Sequence, residues 1–172
     1  SEAKDGDLIL FDLGAQVNYY NGDISRTFPV NGKFTERQKE VYEAVLRVNE
    51  RVISELKAGV NFLEMNKKSR EWIAEECINL GLIEDKKDVA KYYWHSIGHS
   101  LGLDTHDIDN PGRNTTLEPG MIYTVEPGIY IAEEGIGVRI EDDVLITEDG
   151  NEVLTKNMIK SVKDIEEFMA KC

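Results

Sequence analysis

The order of segments along the chain predicts an α+β fold, a curved antiparallel sheet with helices on one face. Three observations carry this. Strand-like segments come first, two helical repeats follow, and strand-and-turn segments return before a short last helix. That order disfavours alternating βαβ units and a parallel sheet. The 172 residues, 41% hydrophobic and 31% charged, suit one globular domain with a real core rather than a disordered chain. No fixed-period repeat or low-complexity tract interrupts the pattern.

Residues 7–30, DLILFDLGAQVNYYNGDISRTFPV, read as two strands around a turn. LILF is a short apolar run, VNYYNG supplies turn residues, and the β-branched return ends at Pro29. A helix then starts at Thr35, which with Gln38 forms a capping box. Val41, Val45, Val48, Val52 and Leu56 keep helical spacing until Gly59,. A second helix is predicted from Phe62 to Leu80, with Trp72, Ile73 and Leu80 as core candidates and Gly81 as its stop. The stretch HSIGHSLGLDTHD that follows is too rich in glycine for a helix. Beyond Pro111 and Gly112 the chain turns β again, through LEPGMIYTVEPGIYI and GIGVRIEDDVLITEDG,. A short helix near 161–170, opened by Ser161 or Asp164, closes it.

Composition narrows the function. A net charge of −13, from 33 acidic and 20 basic residues, argues against a nucleic-acid surface, which needs clustered Lys and Arg. No apolar run approaches a membrane span, and SEAKDGDLILFDLG has no basic region ahead of its apolar run, so no signal peptide is expected,. Two cysteines, Cys77 and Cys172, make neither a disulfide framework nor a CxxC metal site. The cytoplasm is the expected compartment.

All three histidines, His95, His99 and His106, fall in one short stretch, and imidazole is suited to binding metals and moving protons near neutral pH. Several carboxylates stand where strand chemistry disfavours them. Asp12 ends the run Leu8–Phe11, and a buried carboxylate is costly unless paired or bound to a cation. A hairpin turning at Val17–Asn18 sets Asp12 opposite Asp23, an arrangement that makes sense with a cation between them. Glu126 interrupts Ile122–Val125. Glu141 shares a face with Arg139, with Val138 and Ile140 on the other. Taken singly, each of these acids is equally well an edge-strand group in water. Hard oxygen donors with few nitrogens suit Mn, Co, Fe or Zn, and two ions can share bridging carboxylates.

Two familiar motifs fail on context. Gly98-His99-Ser100-Leu101-Gly102 matches the serine-hydrolase nucleophile elbow, but no histidine follows His106 to complete a triad,. His95 and His99 have the spacing of a zinc-peptidase pair, but Ser96 stands where the glutamate is needed and the segment is not helical,.

The ordered set Asp12, Asp23, His99, Glu126 and Glu141 resembles the five metal ligands of the pita-bread (creatinase/aminopeptidase-like) metallopeptidases. The motifs around them carry the likeness: FDLG, GDISRTFPVNGKF, HSIGHSLGLDTHD, LEPGMIYTVEPGIYI and GIGVRIEDDVLIT. The form of the second and third is closest to the proline-directed branch, Xaa-Pro aminopeptidase or Xaa-Pro dipeptidase. The resemblance implies a pita-bread fold and two divalent ions, manganese first, with cobalt, zinc or iron as alternatives. Asp12 would chelate one ion, Asp23 and Glu141 bridge both, and His99 and Glu126 complete the other, with a water or hydroxide held between the ions. Glu126 would relay a proton to the leaving proline nitrogen. His106 would polarise the scissile carbonyl, His95 would line the pocket and Arg139 would orient ligands. His95 is equally a candidate buried structural histidine.

The implied reaction is hydrolysis of the bond between an N-terminal residue and a following proline. Strict dipeptide hydrolysis and a non-catalytic peptide-binding module are the alternatives. The implied partners are a peptide with proline in second position and a further copy of the chain, with no nucleic acid and no membrane. Members of the family carry catalytic-domain sequence ahead of the FDLG strand, so residues 1–172 are expected to be a C-terminal catalytic domain incomplete at its N-terminus. Little activity by itself is then expected, with self-association covering apolar surface on the sheet and on the 35–57 helix.

Overall fold

The computed structural model describes residues 2–108 and 114–171. The turn expected at Pro111 and Gly112, and Cys172, lie outside them. Four strands open the chain: β1 (Leu8–Leu13), β2 (Gln16–Val17), β3 (Tyr20–Asn21) and β4 (Ile24–Pro29). They form one long antiparallel hairpin, but its register differs from the one expected. Asp12 pairs with Ser25, and Val17 with Tyr20. The turn residues are Asn18 and Tyr19, both in the left-handed region at φ 51° and 66°, as the tight hairpin turn that follows strand twist demands. Centring the turn there shifts the pairing by two residues. Asp23 therefore sits diagonally from Asp12 on the same face, since side chains alternate along a strand. The register also needs Gly14, because a Cβ there would sit 1.8 Å from the Gly22 carbonyl oxygen.

Helix α1 (Glu36–Glu55) starts at the capping box, with Thr35 accepting from the Gln38 N–H and the Gln38 side chain accepting from Thr35 N–H at 2.9 Å. It ends a turn before Gly59, with Leu56 in extended conformation. Val41, Val45, Val48, Val52 and Leu56 are all buried, each stabilising the fold by about 1.5–3 kcal/mol. The apolar face of this helix is thus covered, contrary to expectation. Exposed apolar surface lies instead on the first hairpin, at Phe11, Leu13, Val17 and Tyr19.

Helix α2 (Phe62–Asn79) is capped by Asn61, buries Trp72 and Ile73, and packs on α1. A 3-10 turn at Lys86–Lys91 follows, capped by Asp85. Then come β5 (Ile122–Val125), β6 (Gly128–Ile131), β7 (Ile136–Arg139), β8 (Asp142–Ile146) and β9 (Asn151–Val153). Helix α3 (Val162–Met169), capped by Ser161, ends the described chain.

Among the described residues all pairings are antiparallel and fall in four small sheets, β1–β4, β2–β3, β5–β8–β9 and β6–β7, with β7 packed on β1 and β4. The histidine segment runs along the free edge of β5. Thr124 donates to the His99 carbonyl at 2.9 Å, Glu126 to Ile97 at 2.8 Å, and Leu101 to Ile122 at 3.0 Å. Gly98 allows this approach, since a Cβ there would lie 1.9 Å from the Thr124 oxygen. From the other side, the Glu141 N–H donates to the Ser25 carbonyl at 3.0 Å. Hairpin, histidine segment and the β5–β8 pair thereby meet, with α1 packed behind β5, β6 and β7.

Candidate functional site

Where these segments meet there is a cavity of about 910 Å³, lined by Asp12, His95, His99, His106, Glu126 and Arg139 among others. Ligand-type atoms of Asp23, His99 and Glu141 all lie within 4.8 Å of one another. His99 belongs to both groups, but Asp23 and Glu141 are not among the residues that line the cavity. His99 Nε2 is 3.5 Å from Asp23 Oδ2 and 3.8 Å from Glu126 Oε1. Asp12, half exposed, is drawn to Arg139, whose Nη2 donates to Asp12 Oδ2 at 2.6 Å.

The two inner histidines are held in fixed roles. His99 Nδ1 lies 3.0 Å from the Ser100 carbonyl. That oxygen can only accept, so Nδ1 carries a hydrogen and Nε2 is the nitrogen that faces the carboxylates. His95 Nδ1 is tied to the Ser96 carbonyl at 2.8 Å, and its Nε2 accepts from the Tyr130 hydroxyl at 2.8 Å. Arg139 Nη1 in turn donates to the Tyr130 oxygen at 3.3 Å. Burial lowers the His95 pKa, which keeps this ring neutral. His106 is exposed, with its ring edge-on to His99 at a centroid distance of 4.3 Å.

Charge is crowded here. Burial pushes Glu126 up to about 7 and Glu141 up to about 8, with the neighbouring carboxylates adding to the Glu141 shift. Burial opposes a charge on His99, but the Asp23 carboxylate and the Ser100 carbonyl outweigh it and raise His99 to about 9. Burial also raises Asp12, against the pull of Arg139. Asp23 moves down despite burial, because His99 hydrogen-bonds to it.

Sequence reasoning missed three contributors. Ser25, fully buried, donates to Glu141 Oε2 at 2.7 Å and accepts from Arg139 Nε at 2.9 Å. Asp143 accepts from the Asp23 N–H at 3.2 Å, and burial raises its carboxyl to about 6. Asp142, 1% exposed, pairs with Arg26 and Lys160. The acids right after Glu141 break the same strand and carried the same signal.

Comparison with known proteins fits this geometry. The model of metallopeptidase family M24 matches residues 1–148. An Xaa-Pro aminopeptidase from Haemophilus influenzae is 43% identical over 183 aligned positions, which cover 96% of this chain and 43% of that protein. The structure of a candidate aminopeptidase P from Bacillus anthracis superposes with a TM-score of 0.96 at 48% identity, covering 99% of this chain and 41% of the other. Zinc-substituted Escherichia coli aminopeptidase P in complex with product gives 0.93 at 41% identity, with 99% and 43% covered. The chain spans about two fifths of the length of these relatives.

Proposed function

The chain belongs to metallopeptidase family M24, and from that premise we propose that residues 1–172 are a C-terminal catalytic domain, incomplete at its N-terminus, of an Xaa-Pro aminopeptidase. The observation that carries this reading is the convergence of Asp23, His99 and Glu141 within 4.8 Å, beside Asp12, Glu126 and Arg139 in one cavity.

The residues present fit divalent metal. His99 turns its Nε2 to the carboxylates, held in place through its Nδ1 bond to Ser100, the usual arrangement of a ligating histidine. Glu141 is buried among Glu126, Asp23 and Asp12, an accumulation of acid that calls for cations. Asp12, Asp23, His99, Glu126 and Glu141 would hold two divalent ions. Manganese is the ion we propose, with cobalt, zinc or iron as alternatives. Bound there, the ions supply an acidified water and a Lewis acid for the peptide carbonyl.

The chain's own groups do the rest. Glu126, lining the cavity beside His99, is placed to pass a proton to the leaving proline nitrogen. His106, exposed beside His99, donates to the scissile carbonyl as charge builds on its oxygen. Neutral His95 and Tyr130 form a fixed polar wall on the substrate side. Arg139 restrains Asp12 and Ser25 from the opposite side. Self-association through the exposed apolar hairpin, and a reducing cytoplasmic setting in keeping with the free buried Cys77, complete the reading. Among the described residues no helix is long and apolar enough to cross a membrane.

The test is hydrolysis of Xaa-Pro-Yaa and Xaa-Pro peptides by the manganese-loaded full-length protein. Release of the first residue from the longer peptides supports the aminopeptidase reading. Turnover of dipeptides alone makes it a dipeptidase, and turnover only of peptides lacking proline rejects both.

A further inference from the structure

A second polar cluster lies between the strands and α1, and the reading above does not use it. Arg26 Nη1 donates to the Ser25 carbonyl at 2.9 Å and the Glu141 carbonyl at 2.5 Å, while Nη2 donates to Asp142 Oδ1 at 2.7 Å. Asp142 also accepts from Lys160 Nζ at 2.8 Å and from the Thr155 hydroxyl at 2.7 Å. Lys160 donates again, to Asn49 Oδ1 at 2.9 Å. That contact fixes which way the fully buried Asn49 amide points, and its Nδ2 lies 3.2 Å from the Val125 carbonyl and 3.4 Å from the Ile140 carbonyl. Val125 and Ile140 directly precede Glu126 and Glu141.

We propose that Arg26 and Asn49 are positioning residues that hold the main chain of Glu126 and Glu141 from behind, and so set where these glutamates present their carboxylates to a divalent cation. This rests on reading the cavity as a metal centre. Packing alone does not account for the pair. The other inward positions of α1 include Val41, Val45, Val48 and Val52, and an amide among them is costly unless its hydrogen bonds are needed. An ion pair with Asp142 would likewise need only one Arg26 nitrogen, whereas the second is spent on main-chain carbonyls on either side of the β4–β8 junction. A planar fork can span two carbonyls and a carboxylate at once, and an ammonium cannot reproduce it. Ligand distances in metal sites tolerate only about ±0.2 Å, so a small shift of this main chain reaches the carboxylates.

The experiment is calorimetric titration of Mn²⁺ into the metal-free protein, with thermal melts alongside, for wild type, Arg26→Lys and Asn49→Leu. Arg26→Lys keeps the charge and the pair with Asp142 but loses the fork. The expected result is a folded protein that binds Mn²⁺ roughly 10–100-fold more weakly, the range seen for partners behind metal ligands. Asn49→Leu keeps the apolar packing and should weaken binding in the same direction without a matching loss of melting temperature. A merely structural role would lower the melting temperature and leave Mn²⁺ affinity unmoved. Wild-type affinity in the two variants overturns the proposal, as does an Arg26→Lys protein that fails to fold, which would assign the guanidinium to stability. If the wild type itself takes up no Mn²⁺, the metal-centre reading fails instead.

Discussion

Arg139 and Glu141 meet on one hydroxyl: Ser25 Oγ accepts from Arg139 Nε at 2.9 Å and donates to Glu141 Oε2 at 2.7 Å. Arg139 also reaches Asp12 directly, so this one cation is tied to Asp12 on β1 by its own Nη2 and to Glu141, between β7 and β8, through the buried serine. Ser25→Ala should leave Glu141 buried with one donor fewer. We expect a loss of about 1–3 kcal/mol in stability and weaker metal binding, by roughly tenfold or more. Urea denaturation and Mn²⁺ titration check the two effects separately, and unchanged values in both would refute the link.

Metal binding should release protons near neutral pH. In the metal-free chain His99 titrates near 9 and Glu141 near 8, so both carry protons at pH 7, and ligation requires their loss. Calorimetry in buffers of different ionisation enthalpy should show net release that shrinks above pH 9. A buffer-independent heat at pH 7 would contradict these protonation states.

The same shifts fix how stability of the metal-free chain follows pH. Glu141 is raised from 4.5 to about 8 and His99 from 6.5 to about 9. A group raised on folding stabilises fully below its unfolded value, and that contribution fades as pH climbs through the folded value. Melting temperature in chelator should therefore fall between pH 5 and pH 9, and saturating metal should flatten the slope. A rise over that window would show that other groups dominate.

Gly98→Ala puts a methyl carbon against the Thr124 oxygen, 1.9 Å away in the present backbone. The histidine segment must then lift from β5 and carry His99 with it. Loss of roughly 1–3 kcal/mol is expected from such overpacking, with Mn²⁺ binding impaired beyond what the stability change explains.

His106→Ala should leave metal uptake intact, since His106 is exposed and outside the Asp23–His99–Glu141 triad. A fall in kcat of about 10²–10³ with little change in KM is the expected signature of a lost donor to the developing oxyanion. Equal effects on kcat and metal content would move His106 into the ligand set.

Much of this was legible in the sequence because the signals are local. The α1 capping box and valine spacing mark a helix at once, and Asp12, Glu126 and Glu141 stand out because they end or break apolar runs. The register of the first hairpin was not legible, since the Asn21-Gly22 pair is not where the chain turns, and tyrosine at positive φ is rare,. Nor was β9 or the 3-10 turn at Lys86–Lys91, both too short to show a period. Ser25 and Arg26 were visible as letters within GDISRTFPV, but their work lies in contacts with Glu141 and Asp142, which no local pattern encodes.

Those contacts join parts of the chain that are remote along it. Ser25 meets Glu141 across 116 positions and the Asp23 N–H meets Asp143 across 120. Bringing such segments together costs loop-closure entropy before any contact rewards it, which slows folding and puts these pairings late on the pathway. A chain with both helices formed but the first hairpin undocked would hold His99, Glu126 and Glu141 without Asp12 or Asp23 in reach. On the metal-centre reading proposed above, metal uptake would report completed folding, and refolding followed by Mn²⁺ capture should lag behind refolding followed by helical circular dichroism.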